Sequence, residues 1–184
     1  MNVYLIGYMY SGKTTLGRQL ALRLGYSFVD TDQLFEEKYH TSIPLFFQRY
    51  GEEAFRVLEH QVLQSASSLS RHVIACGGGT PCHHGNMDLI LANGLSVYLH
   101  MDVDDVCARM SQSRKIRPIL AAKSPDERYA FVREQMAQRE QYYTQAQLQF
   151  EAAGTDMKAL ALGLYEMVFP YLHRELLSDI TSQE

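Results

Sequence analysis

The 184-residue chain is short of the features that would put it in a special class. Its three cysteines, Cys76, Cys82 and Cys107, show no C-x-x-C spacing, which argues against a disulfide framework or a zinc site. No apolar run approaches the length of a membrane span. Residues 159–172 are apolar, but Glu166 and Pro170 interrupt them, so an amphipathic closing helix is expected there. The few apolar residues before Gly7 are too short for a signal peptide's core, so a cytoplasmic protein is expected. Nor is there an excess of positive charge. With 17 Lys and Arg against 21 Asp and Glu, the net charge is −4, and no basic field recruits nucleic acid or an anionic membrane. Any anionic ligand must therefore be held by local groups. No internal repeat, low-complexity tract or linker divides the chain, so a single domain over residues 1–184 is expected, with a polar tail at 178–184. The strings D-x-x-G and [NT]-K-x-D are both absent, which excludes a GTPase-like switch.

Against these absences stands one strong pattern. Gly7-Tyr8-Met9-Tyr10-Ser11-Gly12-Lys13-Thr14 matches the phosphate loop G-x-x-x-x-G-K-[ST]. It follows an apolar run at 3–6 that reads as a buried strand, and precedes Leu16, Leu20 and Leu24, spaced to line one face of a helix. A nucleoside triphosphate carries several negative charges that must leave water together. Backbone N–H groups of the loop and the helix N-terminus supply fixed positive dipoles for them. Lys13 adds a full charge at the β/γ-phosphates, Thr14 a hydroxyl for Mg²⁺, and Thr15 extends the expected nucleotide site into the helix.

Further apolar runs at 27–29, 73–76, 96–99 and, more weakly, 148–150 alternate with helical patterns. That alternation predicts an α/β fold with a parallel sheet covered on both faces. Two connections exceed a simple crossover. Residues 32–71 should hold two or three helices, with breaks near Ser42-Ile43-Pro44 and at Gly51; residues 111–126 show little periodicity. Both leave the sheet at the strands' carboxyl ends, where ligands of open α/β sheets lie. A substrate-gripping module at about 33–61 and a lid at about 111–125 are therefore expected.

Asp30-Thr31-Asp32 closes the second strand, and strand alternation would turn both carboxylates toward the phosphate loop. One could hold metal-bound water while the other orients an attacking hydroxyl and takes its proton. Asp32 could equally cap a helix starting near Gln33. Arg56 and Glu59, three apart on a helix, read either as a surface ion pair or as a grip for a ligand carboxylate. Gly77-Gly78-Gly79 follows the third strand and lets a ligand approach the backbone. No Walker-B-type acid stands at that strand end, which moves metal organisation toward Asp30 and Thr14. Pattern does not choose among Arg128, Arg133 and Arg139 on the helix predicted over 127–144. The pair His83-His84, with no third ligand nearby, reads as surface.

Taken in order, these pieces resemble the shikimate kinase family from Gly7 to about Tyr143. The marks are the phosphate loop with Gly17-Arg18, Asp30-Thr31-Asp32, Ser42-Ile43 with Phe46-Phe47, and Gly51-Glu52 with Phe55-Arg56 and Glu59. Gly77-Gly78-Gly79, Arg117-Pro118-Ile119-Leu120, and Arg139 with Tyr142-Tyr143 complete them. The resemblance implies a three-layer P-loop kinase fold with a five-stranded parallel sheet of order 2-3-1-4-5. It implies transfer of the γ-phosphoryl group of ATP, with Mg²⁺, to the 3-hydroxyl of shikimate in aromatic amino-acid biosynthesis. On this reading Asp32 is the base and binds shikimate hydroxyls, and Arg56 and Arg139 clamp the carboxylate. Gly77, Gly78 and Gly79 line the acceptor, and Thr14 and Asp30 organise Mg²⁺. Lys13 and Arg117 stabilise the transferring phosphoryl, and Arg109 resembles the family's base-stacking arginine. A monomer is expected. A gluconate-like or nucleotide kinase would share the loop but would not need all the other marks together. One departure stands out: members of the family place a glycine where this chain has Tyr10. A side chain there crowds the loop or demands a left-handed backbone, which motivates a further alternative, a degenerate homologue that binds without turnover.

Overall fold

The computed structural model describes residues 1–113 and 123–173. Its centre is a sheet of five strands: β1 (Asn2–Ile6), β2 (Ser27–Asp30), β3 (His72–Ala75), β4 (Gly94–His100) and β5 (Leu148–Glu151). All neighbouring pairs run parallel, in the order β2-β3-β1-β4-β5. This is the order the resemblance implies. Every residue of β1 is buried, as a strand covered on both faces must be. After β1 the chain crosses to β2 on one side and later returns to place β4 on the other. The strand order therefore switches at the carboxyl end of β1, which opens a crevice there.

Seven α-helices lie among the described residues. They are α1 (Lys13–Leu24), α2 (Thr31–Tyr39), α3 (Ile43–Ser67), α4 (Asn86–Asn93), α5 (Val103–Gln112), α6 (Pro125–Tyr143) and α7 (Met157–Leu172). A short 3₁₀ turn, Thr80–Cys82, joins the triple glycine to α4. Helix α1 buries Leu16, Gly17, Leu20 and Ala21 against the sheet and packs on α7. The interrupted apolar stretch near the C-terminus does form an amphipathic helix: α7 buries Ala161, Leu164 and Val168 and exposes Leu162 and Tyr171. Among the described residues no helix is long and apolar enough to cross a membrane.

The long connection after β2 folds as two helices with the expected breaks. Ser42 caps α3 by accepting from the Leu45 amide at 3.4 Å. Gly51 kinks α3 at φ 81° and ψ 173°, a conformation any side chain would resist. Phe35, Phe46, Phe55 and Val62 make a hydrophobic cluster of their own here, distinct from the main core on the sheet. Phe35 meets Phe46 edge-on at 5.2 Å and Phe55 at 4.8 Å. Of the expected lid, residues 111–113 finish α5 and its cap, and α6 opens at Pro125 behind a Ser124–Glu127 capping box. Residues 114–122, Arg117 included, lie outside the described residues.

The height of α1 above the sheet is set by Gly17. A Cβ there would sit 2.6 Å from the Phe28 ring and 3.1 Å from Leu5 Cδ1, so only a glycine lets the helix approach this closely. Gly17→Val is expected to destabilise the fold by about 2–3 kcal/mol through overpacking. The melting temperature should fall by roughly 5–10 °C; an unchanged melt would show that the helix does not need this approach.

Candidate active site

The phosphate loop runs from β1 into α1 and closes as a nest of backbone donors. Gly12 caps α1 at φ 89°, Leu16 N donates to Gly12 O at 2.8 Å, and Ser11 N to Tyr8 O at 3.3 Å. Lys13 is buried and curls back over the loop: Nζ donates to Gly7 O at 2.8 Å and Tyr8 O at 2.7 Å. This places its charge inside the ring that would surround a phosphate. Tyr10 takes the left-handed angle that the family's glycine would fill, φ 66°, and its side chain packs against the main core without opening the loop. Arg109, on α5, reaches the same place. Its guanidinium donates to Tyr10 O at 3.2 Å and to the carbonyls of Ala152 and Gly154 in the β5–α7 loop. Arg109 thus ties the phosphate loop to the loop that follows β5.

The two aspartates are not placed as strand alternation would have them. The chain leaves β2 at Asp30, and Thr31 and Asp32 already belong to the first turn of α2. Asp30, not Asp32, caps that helix, with Oδ1 accepting from the Asp32 amide at 3.0 Å. Its other oxygen accepts from Thr14 Oγ1 at 2.7 Å. A short local helix signal, Asp at the cap with good helix formers behind it, outweighs continuation of the strand. The carboxylate of Asp32 is turned toward the triple glycine, where a Cβ on Gly77 would sit 2.6 Å from Oδ1. The hydroxyl and carboxylate of Thr14 and Asp30 are hard oxygen donors side by side, and they fit the needs of Mg²⁺.

Beyond the aspartates lies a cationic wall. Arg56 is buried on α3, where its Nη1 donates to Glu59 Oε2 at 2.7 Å, and its Nε and Nη2 to Glu52 Oε1 at 3.2 and 2.9 Å. Burial disfavours its charge, but Glu59 and Glu52 outweigh that and raise its pKa further. These bonds use three of five N–H groups, which leaves one on each terminal nitrogen uncommitted among the described residues. Such a pair suits a carboxylate. The ion-pair and ligand-grip readings of Arg56 are therefore compatible. Its guanidinium lies against Gly79, where a Cβ would come within 2.6 Å of Nη2.

Of the three arginines on α6, Arg139 is the one that meets the triple glycine, with Nη1 3.6 Å from where a Cβ on Gly78 would be. It rests over the Tyr8 ring at 5.4 Å. Burial raises the Tyr8 hydroxyl to about 12, against the opposing pull of Arg139. His83 is half-buried beside this wall rather than on the open surface. Burial and the Arg56 charge lower its pKa, so it is neutral at pH 7. Burial also raises the thiol of Cys82 to about 11 and that of Cys76, a core residue as expected, further still.

Met9, Tyr10, Gly12, Lys13, Thr14, Thr15, Asp30, Asp32, Gly77, Gly78 and Arg109 line one cleft of about 1140 Å³. Arg139 adjoins it at Gly78, and Arg56 stands behind Gly79. A second cleft of about 860 Å³, between α2 and α3 at Tyr39, Phe46 and Tyr50, holds none of the predicted site residues. Sequence reasoning missed Thr80, Asn86 and the supporting role of Tyr143. Tyr143 donates its hydroxyl to Gly78 O and sits one turn beyond Arg139, a spacing that could have pointed to it. Thr80 directly follows the glycines; Asn86 carries no local signal.

The left-handed angle at Tyr10 has a measurable cost. Comparing Tyr10→Gly with Tyr10→Ala removes the same ring from both and isolates the backbone. Alanine normally exceeds glycine in stability by roughly 0.5–1 kcal/mol, but a left-handed residue reverses the order by about 1–2 kcal/mol. The glycine variant should therefore melt higher than the alanine variant. An alanine variant that melts as high would show the angle to be unstrained.

The comparisons with known proteins agree with this fold. The family model described as shikimate kinase matches residues 9–168. The chain is 39% identical over 150 residues to a shikimate kinase of Parabacteroides distasonis, covering 82% of this chain and 87% of that one. It is similar to the crystal structure of shikimate kinase from Bacteroides thetaiotaomicron, with TM-score 0.88, 34% identity, and 91% and 98% of the two chains covered. It is likewise similar to the shikimate kinase of Acinetobacter baumannii solved in complex with shikimate. There the TM-score is 0.83 and the identity 32%, with 92% and 93% of the two chains covered.

Proposed function

Since this chain belongs to the shikimate kinase family, we propose that it transfers the γ-phosphoryl group of ATP to the 3-hydroxyl of shikimate, with its residues dividing the work as follows. The observation that carries the reading is a juxtaposition. The carboxylate of Asp32 and the glycines before the arginine wall face the phosphate loop across one cleft, so a donor phosphate and a carboxylated acceptor fit in line.

Backbone donors of the loop and Lys13 hold the β- and γ-phosphates, and Arg109 steadies the base end of the cleft. Thr14 and Asp30 hold Mg²⁺, which when bound neutralises charge on the phosphates. Arg56 and Arg139 take the acceptor's carboxylate with paired, charge-assisted bonds. This leaves a ring hydroxyl directed toward Asp32, which orients it and accepts its proton as the phosphoryl group moves. The transition state of phosphoryl transfer is loose, so positioning and charge matter more here than a strong base. We assign Arg117 the task of covering the transferring group, as part of a lid at about 111–125. Helix α2 and most of α3, with their separate aromatic cluster, form the acceptor module at about 33–61. One chain carries all of these residues, so no partner is needed to complete the site, and we assign the protein a monomeric state. We place it in the cytoplasm, where ATP and Mg²⁺ are available.

ADP release coupled to shikimate, ATP and Mg²⁺, run beside gluconate and nucleoside monophosphates, tests the reading. Turnover should require shikimate, and its absence at any enzyme concentration would end the assignment. In the same assay Asp32→Asn should lower kcat by about 10²–10⁴ with little change in ATP binding. A near-native rate would remove Asp32 from the role of base.

Arg139→Ala should act on the acceptor instead. Loss of charge-assisted bonds worth roughly 1.5–3 kcal/mol should raise the KM for shikimate by one to two orders of magnitude and leave that for ATP in place. An unchanged KM for shikimate would contradict the clamp.

A further inference from the structure

A buried polar chain stands behind Arg56, and it begins at a residue that has no direct part in the reaction. Asn86 opens α4 and is fully buried. Asparagine at a helix start ordinarily caps its own helix, but here Gly85 is the cap and the Asn86 side chain makes no capping bond. It reaches across elements instead. Nδ2 donates to Thr80 O at 2.8 Å, and Oδ1 lies 2.6 Å from His60 Nδ1. A backbone carbonyl only accepts, so the amide nitrogen must face Thr80 and the amide oxygen His60. It follows that His60 Nδ1 carries a proton and donates it.

From Thr80 the chain continues inward. Its hydroxyl donates to Glu59 Oε1 at 2.6 Å, and Glu59 Oε2 accepts from Arg56 Nη1 at 2.7 Å. The backbone of the same turn forms the surface on which Arg56 rests, since Gly79 lies against its guanidinium. Thr80 N and Cys82 N are bonded to Gly77 O and Gly79 O within the turn, both at 3.0 Å. The Asn86 amide pins the turn at the Thr80 carbonyl. Two of the supports of Arg56, the Glu59 carboxylate and the Gly79 backbone, are thus linked through Thr80 to one asparagine, while Glu52 holds the guanidinium separately.

We propose that Asn86, acting through Thr80 and Glu59, is a positioning residue for Arg56. It sets the angle at which the guanidinium's two uncommitted N–H groups meet the carboxylate of the acceptor. The inference rests on the reading of Arg56 as one arm of the clamp. Groups that orient metal-ligating residues from behind change metal affinity by about 10–100-fold when removed, and the same scale is taken for Arg56. Loss of the asparagine should therefore appear in acceptor affinity and not in nucleotide affinity.

Steady-state kinetics with shikimate and ATP varied separately, on variants checked for folding by circular dichroism, decide it. Asn86→Leu and Thr80→Val should each raise the KM for shikimate about tenfold, with kcat and the KM for ATP within about twofold of wild type. Thr80→Ser keeps the hydroxyl and should stay near wild type. The double variant should be no worse than the poorer single one, because both interrupt the same chain. A native KM for shikimate in folded Thr80→Val would overturn the proposal, as would a parallel rise in the KM for ATP. Should Asn86→Leu fail to fold, Asn86→Asp takes its place, since it keeps the side chain's shape but turns an acceptor instead of a donor toward the Thr80 carbonyl. Arg56→Ala separates the two layers. If it leaves the KM for shikimate unchanged, the clamp reading itself fails. If it raises that KM while the Asn86 and Thr80 variants do not, only the positioning role is lost.

Discussion

The carboxylate of Asp30 lies between the N-termini of α1 and α2, two partial positive charges that the fold directs at one crevice. One oxygen holds the Thr14 hydroxyl at the start of α1, and the other holds the Asp32 amide at the start of α2. Without an anion at this point the two helix ends would repel, and water would fill the gap. With it, α1, which follows the phosphate loop, and α2, which carries Asp32, are kept in a fixed relation. Strand β3 is inserted between β2 and β1, yet Asp30 at the end of β2 still reaches the Thr14 hydroxyl at the end of the phosphate loop. The spacing of donor and acceptor halves thus descends from sheet order and a single carboxylate.

The arginine wall obeys a related constraint. A buried guanidinium is costly unless paired, and Arg56 is paired twice, with Glu52 and Glu59. Two carboxylates more than cancel its charge, so its value to an anionic acceptor is directional. Arg139, over the face of Tyr8, supplies the positive charge that offsets the excess of carboxylate around Arg56. This accounts for two arginines where one bidentate contact would seem enough. One is rigid and over-neutralised; the other is less encumbered and electrostatically effective.

Much of this was legible in the sequence, and the reason differs by residue. The phosphate loop could be read because its function is carried by backbone geometry that only a few residue types allow, in a fixed strand–loop–helix context. The strands could be read because burial on both faces forces uninterrupted apolar runs. The kink at Gly51 and the cap at Ser42 follow from local chemistry. Asp32 was assigned to the right place by the wrong geometry, since alternation was assumed to run past the point where Asp30 caps a helix. Arg139 could not be picked from its helix because Arg128 and Arg133 have the same local pattern, and only contact with Gly78 separates them. Asn86 was invisible, because its partners His60 and Thr80 are joined to it only by the fold.

The aromatic cluster of α2 and α3 is a small core beside a large one, with Leu34 packed against both. Cooperative units in proteins tend to follow such boundaries. Substitutions within the smaller core therefore have their stability cost contained there, and they combine nearly additively with changes around the phosphate loop. A lineage that keeps its phosphoryl donor can re-shape this aromatic unit to admit a different acceptor, without re-optimising the machinery that grips the nucleotide.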